Sequence, residues 1–186
     1  MYSDLQGRQF ILSQNVDEIL TEAIVELAVD ELECSDILEG AGLAVEVHRH
    51  YRKIFAILIM MRREDDIVVF RRHKIVDANL PLQEATARKV ISGDITPFVN
   101  NWQWSFLCHY FEARKGPYRY QRITDAQTIL PFVKKEGLTE IKGDFGEISA
   151  VTIPTGSQTL LHSQVRSSIG IYRVALLTSS LRRHRV

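Results

Sequence analysis

The stretch Glu140–Val151, EIKGDFGEISAV, decides how the C-terminal third of this 186-residue chain folds. Two short, partly alternating runs that contain β-branched residues, Leu138–Lys142 and Glu147–Ile153, flank the segment Gly143–Gly146. Such runs on either side of a glycine-containing segment are typical of a strand, a turn and a returning strand. The sequence therefore predicts an antiparallel hairpin at this place.

Two stretches with helical periodicity dominate the N-terminal half. Asn15 and Glu18 have the spacing of a capping box, and an amphipathic pattern follows as far as Glu33. A second helix is predicted from about Leu43 to Arg62, and we expect it to be the most buried element of this half because its middle is apolar nearly all round. The apolar positions of the first helix are Val16, Ile19, Leu20, Ala23, Ile24, Leu27 and Ala28.

The middle of the chain gives mixed signals. Asp65–Asp66 is placed to start a short third helix, and Asp77–Pro81, DANLP, is typical of a turn. From Gln83 to Phe98 the pattern is weak. Trp102–Phe106 is predicted to be extended, because aromatic residues favour strands, and to form a packing cluster. The aromatic residues expected to be largely buried are Trp104, Phe106 and Phe132.

These elements predict an α+β fold, with an α-rich N-terminal half and a small C-terminal antiparallel β-hairpin or sheet. The predicted boundary falls after residue 135. Residues 1–135 are expected to form a helical leader region, and residues 136–186 to hold the hairpin and a divergent basic tail, Leu181–Val186.

Composition narrows the classes of partner. Lysine plus arginine and aspartate plus glutamate number 23 each, so no net charge favours nucleic acid or an anionic membrane. The longest apolar run, Ile54–Met61, is far shorter than the ~20 residues of a membrane span. Cys34 and Cys108 form no C-x-x-C motif, which argues against a zinc site or a disulfide framework. We therefore expect an intracellular, cytoplasmic protein with an unknown protein partner, no nucleic acid and no membrane.

The letters of Asp144–Gly146 match the D-F-G tripeptide with which protein kinases hold Mg²⁺. That interpretation requires an upstream H-R-D-x-x-x-x-N loop. The nearest segment, Arg122–Asp125, lacks the preceding histidine and the following asparagine, and no A-P-E follows Gly146. The sequence therefore gives no support for a metal site. Gly143, Gly146 and Ile148 instead match the second half of a kinase glycine-rich loop, G-x-G-x-x-G-x-V, with an ordinary β-turn as the alternative.

A wider series of motifs resembles the N-terminal region of filamentous-fungal protein-kinase-like proteins. In order, the motifs are Lys53–Leu58 (KIFAIL), Asn79–Leu82 (NLPL), Gln103–Phe106 (QWSF), Ile129–Phe132 (ILPF), the glycine segment, and Ile153 with Ser157–Gln158. The resemblance covers about Val47 to Gln158. It implies a helical leader followed by the glycine-rich loop that opens a kinase fold.

The resemblance also implies roles for the loop residues. Gly143 and Gly146 would lie over the phosphates of ATP, with Asp144 and Phe145 between them at the loop tip. Ile141 and Ile148 would lie near the base, at the nucleotide-binding positions. The chain departs from the family at Ile141, where the loop usually opens with glycine, and at Ser157, where histidine usually precedes the glutamine.

The parts needed for catalysis are missing from the resemblance. The best candidate for the third kinase strand is Tyr172–Leu177, and the lysine position falls on Leu177, which cannot neutralise phosphate. We therefore expect a catalytically incomplete fragment, truncated before the catalytic loop and C-lobe. It would act at most as an interaction module, without catalytic residues, a metal or a usefully bound cofactor. The alternatives are a stand-alone helical interaction domain and a small enzyme using Asp65–Asp66 and His73.

Overall fold

A computed structural model of the protein describes residues 1–32, 42–112, 125–143, 146–159 and 171–178. The chain divides into two compact units. The helical unit comprises Met1, Phe10–Cys108 and Gln127–Ile129. The β unit comprises Tyr2–Gln9, His109–Ala126 and Leu130–Val186. The boundary at residue 135 stays a prediction.

The described part of the helical unit consists mainly of short helices. The α-helices are α1 (Ser13–Ile19), α2 (Glu22–Asp30), α3 (Leu43–His50), α4 (Arg52–Met61), α5 (Ile67–Arg72), α6 (Glu84–Val90) and α7 (Gln103–Phe106). Short 3₁₀ segments span Glu64–Asp66 and Asp77–Asn79, and a π-helix spans Pro97–Trp102.

The central helix of the unit is α4. Its residues Ile54, Phe55, Ile57 and Leu58 are fully buried. Because apolar side chains cover most of its circumference, α4 packs against α1, α5, α7 and the π-helix at the same time. The prediction that this stretch is the most buried part of the N-terminal half is confirmed.

The prediction of two long helices from periodicity is wrong in one respect, because each of the two predicted stretches forms two shorter helices. Leu20 leaves helical geometry (φ −88°, ψ 64°), and Thr21 begins α2, its Oγ1 accepting a hydrogen bond from the Ile24 N–H at 3.4 Å. The start of the first helix also differs from the prediction. Helix α1 begins at Ser13 without a side-chain cap, so Asn15 does not act as the expected cap. Likewise Tyr51 (φ −128°, ψ 16°) separates α3 from α4.

The segment Trp102–Phe106 is helical, and the prediction of extended structure is wrong. Burial overrides the strand preference of aromatic residues here, since Trp104 is 7% and Phe106 4% exposed. The expectation of burial therefore holds for these two rings. In the β unit, Phe132 is only partly buried, and its ring stacks on Phe111 with centroids 5.8 Å apart.

Two very short strands near the N-terminus, β1 (Tyr2–Ser3) and β2 (Gln9–Phe10), form a pair of their own. The β unit contains a separate three-stranded sheet of β3 (Lys134–Gly143), β4 (Gly146–Pro154) and β5 (Ile171–Thr178). This sheet is antiparallel, with the strand order β3-β4-β5. The hairpin predicted around the glycine segment is confirmed, and so is the mixed α and β class.

Candidate functional site

Gly143 and Gly146 lie at the end of the predicted hairpin. Gly143 closes β3 and Gly146 opens β4, and the two residues are direct partners across the ladder. Ile141 lies in β3, and Ile148 lies in β4 opposite Leu177 of β5. Leu177, the residue at the lysine position of the resemblance, is therefore on the neighbouring strand. Asp144 and Phe145 lie outside the described residues.

Within the helical unit, a distant carboxylate caps the central helix. The Asp77 side chain accepts hydrogen bonds from the backbone N–H groups of Lys53 and Ile54, each at 2.9 Å. These are two of the first N–H groups of α4, which have no partner within the helix. Burial raises the pKa of Asp77, and the two N–H donors offset this only in part. Asp77 is thus a structural cap supplied from 23 and 24 residues away.

The buried side-chain amide of Gln103 makes a second long-range connection within the helical unit, to the backbone of Leu82. The side chain of Gln103 is 1% exposed, and its Oε1 accepts from the Leu82 N–H at 2.8 Å. Its Nε2 donates to the Leu82 carbonyl at 3.2 Å and to the Val99 carbonyl at 2.8 Å. The Trp104 indole N–H also donates to the Val99 carbonyl, at 2.9 Å. One glutamine therefore fixes the backbone of Leu82 on both its polar groups.

These contacts bring together the three N-terminal motifs of the resemblance. Asp77, just before the Asn79–Leu82 motif, caps the helix that contains Lys53–Leu58. Gln103, the first residue of Gln103–Phe106, binds Leu82 at the end of the same motif. In this structure the motifs therefore have an architectural role, since their polar groups bind backbone atoms within the unit.

The acid–base candidate Asp65–Asp66 does not form a catalytic arrangement with His73. Asp66 forms an ion pair with Arg63, whose Nε lies 3.0 Å from Oδ2 without aligned hydrogen-bond geometry, and it accepts from the Ser92 hydroxyl at 3.3 Å. Burial raises the pKa of Asp66. His73 is exposed. Among the described residues, no three histidine, cysteine, aspartate or glutamate side chains are grouped so that they could hold a metal ion.

An open cleft of about 290 Å³ lies beside the Leu80–Pro81 peptide bond, which is cis. Its walls include the polar side chains of Lys74, Asn79 and Gln83. The volume is just below the ~300–1,000 Å³ found for small-molecule sites. The lining contains no pair of acidic and basic groups that a general acid–base mechanism would need.

Cys108 is not an activated nucleophile. Its Sγ lies 3.9 Å from the Ile11 carbonyl oxygen, and burial raises the pKa of the thiol to about 11, an effect that Lys53 offsets only in part. A reactive cysteine needs the opposite shift, because the thiolate is the nucleophile.

We expect Cys108 to react slowly with iodoacetamide in the folded protein. In a Cys34→Ser variant Cys108 is the only cysteine. Alkylation at pH 8 should be at least about tenfold slower than in concentrated urea, because the thiolate fraction is far smaller when the pKa is raised. Mass spectrometry over time measures both rates, and equal rates would show that the thiol is accessible and ordinary.

The outer side of α1 and α2 is acidic and partly apolar. Ile19, Ile24 and Leu27 are 65%, 45% and 63% exposed, although periodicity placed all three on the buried side of a single helix. For Ile24 and Leu27 that prediction is wrong because the break at Leu20 and Thr21 resets the helical phase, so that α2 buries Val25 and Val29 instead. Ile19 is the last residue of α1, whose buried residue is Val16. No lysine, arginine or histidine occurs between Ser13 and Leu32. The acidic residues in this range are Asp17, Glu18, Glu22, Glu26, Asp30 and Glu31.

No protein-family model, curated protein or solved structure matches the chain. Along the described residues, no helix combines the length and the apolar character that crossing a membrane requires.

Proposed function

We propose that these 186 residues are a non-catalytic protein-interaction module, in which a helical leader precedes the opening strands of a kinase-like N-lobe. Three features support the proposal. The β unit has an antiparallel order that turns at Gly143 and Gly146. Leucine occupies the position that the resemblance assigns to the phosphate-binding lysine. The buried or half-buried polar side chains of Asp77 and Gln103 bind backbone groups, which is a structural role.

The observation that carries the interaction role is the exposed apolar pair on α2. Ile24 and Leu27 are three residues apart, so their side chains are neighbours on the surface of one helix. The buried residues Val25 and Val29 fix α2 from the other side, and the helix packs against α3. A helix held in this way presents Ile24 and Leu27 as fixed contact points rather than as a fraying end.

Affinity capture with matched variants tests the interaction role. The purified chain and an Ile24→Asp/Leu27→Asp variant are compared as baits in cell extract, with Met60→Asp on α4 as the control because Met60 is also exposed, at 41%. At least one protein should bind the wild type and the Met60→Asp control and be lost with the double variant. If every captured protein binds all three baits equally, the proposed role of α2 is wrong.

A stand-alone helical interaction domain, unrelated to phosphotransfer, is the second candidate. Its support is that the helical unit contains its own continuous apolar core, from Val16 to Phe106. The genomic sequence downstream discriminates between the candidates, because an open frame that encodes a kinase C-lobe would favour the first.

We expect no useful binding of ATP by this chain. Gly143 and Gly146 leave the backbone free to approach a phosphate, but the few N–H contacts of one hairpin contribute on the order of 1 kcal/mol each. Because leucine occupies the strand-lysine position and one hairpin alone does not enclose a ligand, binding should be millimolar or weaker. Isothermal titration calorimetry with Mg-ATP measures this. A dissociation constant in the low micromolar range, or phosphotransfer above a heat-inactivated control, would contradict the proposal.

A further inference from the structure

We propose that the exposed face of α2 binds a cationic amphipathic helix of a partner protein. This inference rests on the proposed interaction role and adds the chemistry of the partner. The acidic face is defined here as Ile24 and Leu27 together with the carboxylates of Glu22, Glu26, Asp30 and Glu31.

The geometry of α2 places carboxylates along one edge of the apolar pair and at its C-terminal end. Glu22, Glu26 and Asp30 recur every four residues and therefore line one edge of the helix. Glu31, the C-cap residue, lies four residues after Leu27, next to it on the same surface. An apolar strip with a charged border is the complement of an amphipathic helix, which binds through anchors at the same three- and four-residue spacing.

The charge of this face is largely uncompensated in the parts of the chain that the structure describes. Arg52 forms an ion pair with Asp17 at 2.7 Å, and no other cation within the described ranges is paired with an acidic residue of α1 or α2. The whole chain has a formal net charge of zero, so the concentration of negative charge here is local. Charges within a Debye length of ~8 Å act together on an approaching partner.

The sign of this charge decides between classes of occupant. A second copy of the chain would bring the same carboxylates face to face, and like charges across an interface cost several kcal/mol. Nucleic acid and anionic lipid surfaces are repelled for the same reason. A helix with lysine or arginine beside its apolar anchors gains from both components of the face. The geometry and the charge therefore point to a cationic helical segment.

Synthetic peptides test this inference on the full chain. The probe is an amphipathic peptide of about 18 residues with leucines at i, i+3, i+4 and i+7 and lysines elsewhere; two matched peptides carry glutamine or glutamate in place of lysine. Fluorescence anisotropy should show the lysine peptide binding at least about tenfold tighter than the other two. Raising the salt concentration to about 0.5 M should weaken that binding, because exposed charges are screened.

Matched variants locate the binding. Leu27→Gln and Glu26→Lys should each weaken binding of the lysine peptide at least about fivefold. Met60→Gln and Asp65→Lys, at exposed positions outside the acidic face, should leave it unchanged. Circular dichroism of every variant must match the wild type, and Leu27→Ala replaces Leu27→Gln if it does not.

The other outcomes overturn the inference in distinguishable ways. If the glutamine peptide binds as tightly and is equally sensitive to Leu27, the face binds helices but the class of partner is wrong, and the interaction role stands. If no peptide binds, or if the four variants behave alike, the acidic face is not a helix-binding site. The affinity-capture result then decides independently whether the chain interacts through α2 at all.

Discussion

Replacing Asp77 with alanine should lower the free energy of unfolding of the helical unit by about 3 kcal/mol. The Lys53 and Ile54 N–H groups would lose their acceptor at the start of α4, the most buried helix. A buried donor left without a partner costs ~1–3 kcal/mol, and loss of a helix cap ~1 kcal/mol. Urea unfolding followed by tryptophan fluorescence measures the effect, because Trp102 and Trp104 both lie in the helical unit.

The matched control for this variant is Asp65→Ala. Asp65 is exposed and near the start of a short helix, so its loss should change the free energy of unfolding by no more than about 0.5 kcal/mol. If Asp77→Ala and Asp65→Ala had the same small effect, the Asp77 cap would contribute nothing to stability.

The Asp77 carboxyl should also make stability depend on pH in a defined direction. Because its pKa in the folded protein is raised above 3.8, the folded state holds this proton more tightly than the unfolded state. The resulting stabilisation is present below about pH 3.8 and is lost as the pH rises through the folded pKa. Asp77→Asn does not titrate, so its destabilisation relative to wild type should be largest in acid and shrink toward neutral pH. If the destabilisation of Asp77→Asn instead grew with pH, the two N–H donors would have a larger effect on the pKa of Asp77 than burial has.

Replacing Gln103 with alanine should lower the free energy of unfolding by about 2–4 kcal/mol. The change removes three hydrogen bonds and leaves the polar groups of Leu82 buried without their side-chain partner, in addition to opening a cavity. The same fluorescence-detected urea unfolding measures it.

Two further variants separate the causes of that loss. Gln103→Leu fills most of the space but makes no hydrogen bonds, so it should remain destabilised by at least about 1 kcal/mol. Gln14→Ala removes an exposed glutamine that donates to Glu18 at 2.8 Å, and should cost no more than about 0.5 kcal/mol. Wild-type stability in Gln103→Leu would show that the site needs volume alone.

The features that the sequence predicts well are those with local causes. The burial of α4 follows from an unbroken apolar run, Ile54–Met61, and the hairpin at Gly143 and Gly146 follows from strand-like runs on either side of a glycine segment. Both signals are complete within about a dozen residues, so they can be recognised without knowing what packs against them.

The features that could not be predicted from the sequence depend on distant hydrogen-bond partners or on an interruption of the helical periodicity. The start of α4 is capped by Asp77, and no residue near Tyr51 is of a type that predicts a helix break there. The exposure of Ile24 and Leu27 depends on the interruption at Thr21, a residue that is compatible with either a helix interior or a cap. A periodic pattern read straight through that interruption assigns the wrong side of the helix to the core.

For the hairpin itself, the backbone could be predicted and the role could not. Gly143 and Gly146 are opposite each other across the antiparallel ladder. That pairing is compatible with an ordinary β-turn and with a phosphate-binding loop alike. Function at such a loop depends on what faces it, and that information is not contained in the loop.

The long-range cap on α4 also imposes an order in time. When the chain is made from its N-terminus at ~5–20 residues per second, Asp77 follows Lys53 by about 1–5 s, whereas a helix forms within about a microsecond. The apolar segment Ile54–Met61 therefore leaves the ribosome seconds before Asp77 and Gln103 do. During that interval it is a target for chaperones that bind apolar stretches, and its burial is complete only after the residues up to Phe106, the last member of the apolar core, have followed.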